Sequence, residues 1–335
     1  MSRRLFSLPR PVLRRLAGKA VILDGNELDP AVQIMLALAK VVTPEPLGGR
    51  AVDVSRREMK RSSGMLATRT KGVATTNRTI DGPAGPIPIR VYRPRAATPR
   101  SAATVFFHGG GFVLGDLDTH DSVCRSLASG AGHVVVAVDY RLAPEHPWPA
   151  APDDCYAAFC WVVENARALG IDPARIGVAG DSAGGNVSAV VCLDAKTRGG
   201  PSPKAQLLMY PATELRRSMT SHRTFAEGFL LTKADIDWFI DHYVPGGGDA
   251  LDHPRASPFK AKDLSGLPAA FVQTAAFDPL RDEGMAYAER LAAAGVKTVS
   301  RCYEGLIHGF ASFGGGVPAA GRALDEGAAW LAKTV

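Results

Sequence analysis

The sequence predicts an α/β fold, a mostly parallel sheet with helices on both faces, and three observations carry that prediction. From about residue 100 onward, short β-branched runs alternate with helical stretches, the order expected when crossover helices link parallel strands. Some runs are apolar at every position, as in Val134-Val135-Val136-Ala137-Val138, which suits strands buried on both faces. The 335 residues, 46% apolar and 21% charged, also have the balance of a globular chain rather than a disordered, fibrous or membrane-spanning one.

Taken in order, residues 1–65 carry helical pattern without strands, with Val32, Met35-Leu36 and Ala39 at amphipathic spacing. An antiparallel edge pair is expected over Thr79–Tyr92, where Gly82-Pro83 and Gly85-Pro86 interrupt extended sequence. Strands follow at Thr104–Phe107, Val134–Val138, Ile176–Ala179, Gln206–Met209, Ala269–Thr274 and Val296–Tyr303. Helices are expected at Asp121–Ser129, Pro152–Leu169, Ala183–Arg198, Met285–Ala293 and Arg322–Lys333, with Gly130, Gly170, Gly199 and Gly295 marking ends. Residues 213–256 again lack a strand. There Thr232-Lys-Ala-Asp235 is a capping box, followed by Ile236, Phe239-Ile240 and Tyr243 on one helical face. The two strandless stretches read as lid elements on a core spanning 66–335, one at the amino end and one inserted at about 213–256.

The net charge of +6 does not describe a nucleic-acid groove. Through residue 80 there are 15 Lys and Arg against 6 Asp and Glu, which leaves the other 255 residues with an acidic excess of three. The basic excess is densest in Arg3-Arg4, Arg10, Arg14-Arg15 and Lys19. Leu16-Ala17 then meets Gly18-Lys19, so the apolar stretch of a signal peptide is missing and a cytoplasmic location is expected. A solvated arm or capping helix is the expectation for this end, with contact to an anionic membrane surface as the alternative. The five cysteines (Cys124, Cys155, Cys160, Cys192, Cys302) have neither zinc-knuckle nor disulfide-scaffold spacing. No H-E-x-x-H, EF-hand loop or Walker P-loop occurs, so no metal or cofactor is expected.

The strongest local signal is Gly180-Asp181-Ser182-Ala183-Gly184, between the strand Ile176–Ala179 and a helical run. This is a G-x-S-x-G nucleophile elbow, in which a sharp strand-to-helix turn presents a serine hydroxyl at a helix N-terminus. A second motif, His108-Gly109-Gly110-Gly111-Phe112, directly follows the strand Thr104–Phe107. Glycines there let backbone N–H groups reach a ligand, so this loop, with the N–H of Ala183, is expected to supply oxyanion donors. His108 is expected to orient this loop. A serine needs a base and an orienting acid, and the chain order Ser, acid, His leads to His308 and Asp278, each just past a strand. Spacing alone leaves Asp282 and Glu283 open as the acid, although both suit the first turn of a helix. His120, His133, His222, His242 and His253 lack ligand spacing and read as surface or satisfied core.

These stretches together resemble the hormone-sensitive lipase family of α/β-hydrolases, particularly its microbial carboxylesterases. The resemblance runs from about Ile80 to Phe310 and includes His108–Asp116, Asp139–Pro147, Gly180–Asn186, Asp278–Gly284 and His308-Gly-Phe310. It implies an eight-stranded sheet under a helical cap, a triad of Ser182, Asp278 and His308, and oxyanion donors at Gly109, Gly110 and Ala183. Asp139–Pro147 corresponds to a structural turn. Trp148 stands where Phe is common, and the first 25 or so residues have no counterpart. The implied activity is hydrolysis of small-molecule esters of short or medium chain, without a cofactor. The alternatives are an amidase, lactonase or lipase with the same triad, or a non-catalytic binding protein on this fold. An exposed edge at the final strand would permit a homodimer.

Overall fold

The computed structural model of the chain describes residues 3–6, 8–42 and 50–335. Positions 1, 2, 7 and 43–49 of the expected amino-terminal lid, and the side chains of Arg3 and Arg4, lie outside the described residues. Within that lid, β1 (Ile22–Leu23) and β2 (Asn26–Glu27) form an antiparallel ribbon. The stretch is therefore not strandless as its pattern predicted. Asp24-Gly25 closes the ribbon with both residues at positive φ, 52° and 76°. Asp-Gly favours the two-residue turn whose twist matches that of paired strands.

The other strands are β3 (Val73–Gly82), β4 (Gly85–Pro94), β5 (Ser101–Phe107), β6 (Val134–Val138), β7 (Ile171–Asp181), β8 (Ala205–Met209), β9 (Ala269–Phe277) and β10 (Thr298–Ile307). They form one eight-stranded sheet in the order β10-β9-β8-β7-β5-β6-β4-β3. β4 pairs antiparallel with β3 and β6, and every other neighbouring pair is parallel. Side chains alternate across the sheet, and both faces are covered. On β5, Val105 and Phe107 join the cluster containing Phe159, Val162, Val187 and Val191, from helices Ala150–Glu164 and Ala183–Arg198. Phe106 points the other way, into the cluster with Leu127, Leu324 and Leu331 of helices Asp121–Ala131 and Pro318–Thr334.

Several boundaries move, for identifiable reasons. Gly130 lies inside its helix, because a Cβ there would crowd Ala328 of the packed helix; the left-handed C-cap is Gly132, at φ 68°. The helix from Ala150 ends at Glu164, before the expected Leu169, where Asn165 N–H bonds back to the Trp161 carbonyl. Three strands run further than their β-branched runs suggested. β7 reaches Asp181, β9 reaches Phe277 and β10 reaches Ile307, so Ser182, Asp278 and His308 are each the first residue beyond a strand. That common edge is where an α/β sheet presents its ligands.

Candidate active site

The turn at Ser182 is set by lack of room. A Cβ on Gly180 would overlap the Gly184 carbonyl, and one on Gly184 would overlap the Phe107 carbonyl at the end of β5. Only glycine fits at either position, and the chain reverses between them. Ser182 accordingly takes φ 56°, ψ −118°, a region L residues occupy at a cost of about 1–3 kcal/mol. Its N–H donates to Met209 O on β8 at 2.8 Å, and its carbonyl accepts from Asn186 N–H at 3.0 Å.

His308 and Asp278 meet this serine. His308 Nε2 lies 2.9 Å from Ser182 Oγ, and His308 Nδ1 lies 2.8 Å from Asp278 Oδ2. With Nδ1–H donating to the carboxylate, Nε2 is left to accept from the hydroxyl. Asp278 is fully buried, and its other oxygen accepts the Leu280 N–H at 2.8 Å. Of the three candidate acids, Asp278 is the one that faces the imidazole. Asp282 instead takes the Ser221 N–H at 2.9 Å and pairs with Arg281. Glu283 is buried and accepts from the N–H groups of Thr213 (2.5 Å) and Glu214 (3.1 Å), with His222 Nε2 at 2.7 Å. Burial pushes the Glu283 carboxyl up against the opposing pull of these partners. Both residues hold the root of the segment between β8 and β9.

One expected donor is already occupied. The Gly109 N–H donates to Asp181 Oδ1 at 3.0 Å. The N–H groups of Gly110, Gly111 and Ala183 have no acceptor among the described residues. Gly110 (φ 118°) has no room for a Cβ beside Leu114 O, and Gly111 (φ 61°) has none beside the Phe239 ring. The free donors are therefore Gly110, Gly111 and Ala183. The helix Ala183–Arg198 adds the positive end of its dipole at Ala183.

Asp181 occupies the variable position of the elbow, where the motif gives it no role. It is buried, with His120 Nε2 3.4 Å from Oδ1 and Tyr210 Oη 3.5 Å from Oδ2. Burial alone would raise its carboxyl, but His120 and the Gly109 N–H hold it below the usual range. His108 does orient the loop: its Nδ1 lies 2.8 Å from Gly109 O, and its ring stacks on Tyr140 at 4.4 Å. The turn around Tyr140 is structural, with Tyr140 Oη donating to His108 O at 2.6 Å and Arg141 bidentate on Asp154. Arg56, from helix Val52–Ser62, donates to Val113 O and Ala143 O, both at 2.9 Å, and pairs with Glu145. No motif marks this arginine. Trp148 donates to Arg255 O at 3.3 Å and packs against His253.

Among the described residues, no group of three His, Cys, Asp or Glu could hold a metal ion. No described helix is long and apolar enough to cross a membrane.

Comparisons with known proteins bear on the family and the fold. Residues 104–312 match the family described as alpha/beta hydrolase fold. The chain is similar to the carboxylic ester hydrolase LipN of Mycobacterium tuberculosis, 47% identical over 90% of this chain and 82% of that protein. It is similar to the carboxylesterase NlhH of the same species, 43% identical over 92% of this chain and 97% of the other. Among solved structures, an alpha/beta hydrolase from the metagenome of Lake Arreo superposes with a TM-score of 0.88. It is 43% identical, covering 91% of this chain and 98% of its own.

Two histidines around this framework are kept neutral. Burial and then the neighbouring His120 push His108 down to about 4. Burial and Arg175 do the same to His133. As pH falls from the ordinary histidine value of 6.5 towards about 4, the unfolded chain takes up protons that the folded chain refuses. Asp139 opposes this, because burial beside Asp116 and Asp118 pushes it up to about 6 and it gains a proton on folding. Two groups outweigh one, so the melting temperature is expected to fall across that window. His133→Gln should flatten the fall; a melting temperature independent of pH between about 7 and 4.5 would contradict the buried-neutral reading.

Proposed function

Since the chain belongs to the α/β-hydrolase family and is a serine carboxylesterase, we propose that Ser182 is its nucleophile, His308 its general base and Asp278 the acid orienting His308. The observation that carries this assignment is the unbroken line from Ser182 Oγ through His308 to Asp278, with contacts of 2.9 and 2.8 Å. Ser182 Oγ attacks the ester carbonyl carbon while His308 Nε2 takes its proton. The carbonyl oxygen becomes an oxyanion within reach of the N–H groups of Gly110, Gly111 and Ala183. Each such donor is worth about 2.7–4 kcal/mol in the transition state. Collapse expels the alcohol, which takes the proton from His308. Water, deprotonated by the same nitrogen, then cleaves the acyl-enzyme. Asp278 accepts the His308 Nδ1–H throughout and stabilises the transient imidazolium.

We assign residues 1–65 and 213–256 to a cap over this site, and small esters of short to medium acyl chain to its substrates. The packing of the Phe239 ring against Gly111 supports the 213–256 part of the cap, because it sets an aromatic wall beside the free donors. Asp181 is a positioning residue, since the carboxylate that holds Gly109 fixes the next two glycines of the loop.

Ser182→Ala should lower turnover of p-nitrophenyl butyrate on the order of 10⁴-fold or more and abolish labelling by an alkyl phosphonate. Retained turnover would reject Ser182 as nucleophile. In a series from acetate through butyrate and octanoate to palmitate, kcat/KM should peak before octanoate is passed; a maximum at palmitate would refute the chain-length assignment. Asp181→Ala should cut kcat by roughly 10²-fold with little change in KM, because the donors shift while the ester-binding walls remain. Asp181→Asn, which still accepts from Gly109, should recover part of the loss. A loss confined to KM would remove Asp181 from this role.

A further inference from the structure

The amino end carries a surface that ester hydrolysis does not use. Helix Arg10–Ala17 is fixed to the body by its inner side. Leu13 and, ahead of the helix, Phe6 are buried with Leu28, Val32 and Met35. Gln33 Nε2 donates to Ala17 O at 2.7 Å and to Lys19 O at 2.8 Å, and Arg14 pairs with Glu27. The outer side has no such cover. Leu8, Val12 and Leu16, four residues apart, are 37%, 42% and 56% exposed, and Ile22 is 65% exposed. Only three other large apolar side chains of the described residues are comparably exposed, and they are scattered at Met65, Leu230 and Val299.

The charge around this stripe is of one sign. The first 23 residues contain Arg3, Arg4, Arg10, Arg14, Arg15 and Lys19 and no acidic residue. Arg10, Arg15 and Lys19 are exposed and have no acidic partner among the described residues. Exposed leucine and valine interleaved with unbalanced cations complement a lipid surface with anionic headgroups. The segment that follows the stripe reaches the loops near Asp278 and His308. Asp24 pairs with Arg281 at 2.6 Å, and the Asp29 N–H donates to Gly305 O at 3.0 Å. Those partners lie three residues after Asp278 and three before His308.

We propose that helix Arg10–Ala17 and its flanks form an interfacial anchor. Leu8, Val12 and Leu16 dip into the headgroup boundary of an anionic lipid surface while Arg10, Arg15 and Lys19 contact phosphates. One eight-residue helix gives weak, reversible and salt-sensitive binding rather than permanent anchoring. The proposal concerns binding and does not depend on which residues carry the chemistry.

The test is co-sedimentation of the full chain with vesicles of mixed phosphatidylglycerol and phosphatidylcholine, against phosphatidylcholine alone. Binding should favour the anionic vesicles by roughly tenfold or more and vanish in high salt. The double variant Val12→Asp, Leu16→Asp and the triple variant Arg10→Gln, Arg15→Gln, Lys19→Gln should each reduce the partition coefficient by roughly tenfold. Turnover of soluble p-nitrophenyl acetate and the far-UV circular dichroism should stay unchanged in both. If the apolar changes disturb folding, Arg15→Glu with Lys19→Glu, at solvent-facing positions, gives the same readout. Equal binding to both vesicle types, or binding indifferent to these substitutions, would overturn the proposal. So would a change of oligomeric state by light scattering in the variants without vesicle binding by the parent chain, since the stripe would then face a second copy.

Discussion

The site depends on one steric constraint, the absence of space on either side of Ser182. Gly180 and Gly184 bring β7, its following helix and β5 so close that the chain reverses only with Ser182 in a left-handed backbone. The strain is held by the bond from its N–H to β8 and by the burial of both flanking elements. Its consequences are geometric. The hydroxyl projects above the sheet to meet His308, and the preceding side chain is turned inward. Asp181 thus becomes a buried carboxylate whose oxygen takes the Gly109 N–H, so the turn that exposes the nucleophile also fixes the neighbouring glycine loop.

A second set of contacts ties helix Val52–Ser62 and the segment between β8 and β9 to that loop. Phe239 leaves no room for a Cβ at Gly111, Arg56 holds the Val113 carbonyl, and Glu283 with His222 pins the start of the segment between β8 and β9. A buried carboxylate with three donors is tolerable because its partners replace lost water. Removing one partner leaves a buried polar group exposed to that cost in full. Asp278 and His308 are therefore held at strand ends of the sheet, whereas Gly111 sits between the sheet and the segment carrying Phe239.

How much of this was legible in the sequence follows from what each signal encodes. Val134–Val138 and the elbow announce themselves because burial and steric closure act on local residue type. The order Ser182, Asp278, His308 was readable because each follows an apolar run that becomes a strand. The choice between Asp278, Asp282 and Glu283 was not, since five positions of spacing say nothing about direction. Asp278 meets His308 ahead of helix Arg281–Ala293, whereas Asp282 and Glu283 in its first turn accept from the N–H groups of Ser221 and Thr213. Gly109 and Gly111 were also indistinguishable, because identical residues in a run differ only in what their N–H groups face. The partner that decides, Asp181, is 72 residues from Gly109. The ribbon at Asp24-Gly25 was masked by helical pattern on both sides, although its turn chemistry was present.

The amino-terminal segment is more than an addition to the outside of the fold. Its two polar attachments reach the loop after β9 and the end of β10, the elements that deliver Asp278 and His308. In the proposed mechanism Asp278 orients His308 only while their separation is kept near hydrogen-bond length. Arg281, three residues after Asp278, is held by the turn of the ribbon, and Gly305, three residues before His308, by Asp29 just beyond it. The chain's basic end, its apolar outer stripe and its acid–base pair thus share one mechanical support. The segment that follows helix Arg10–Ala17 meets those loops through Asp24 and Asp29.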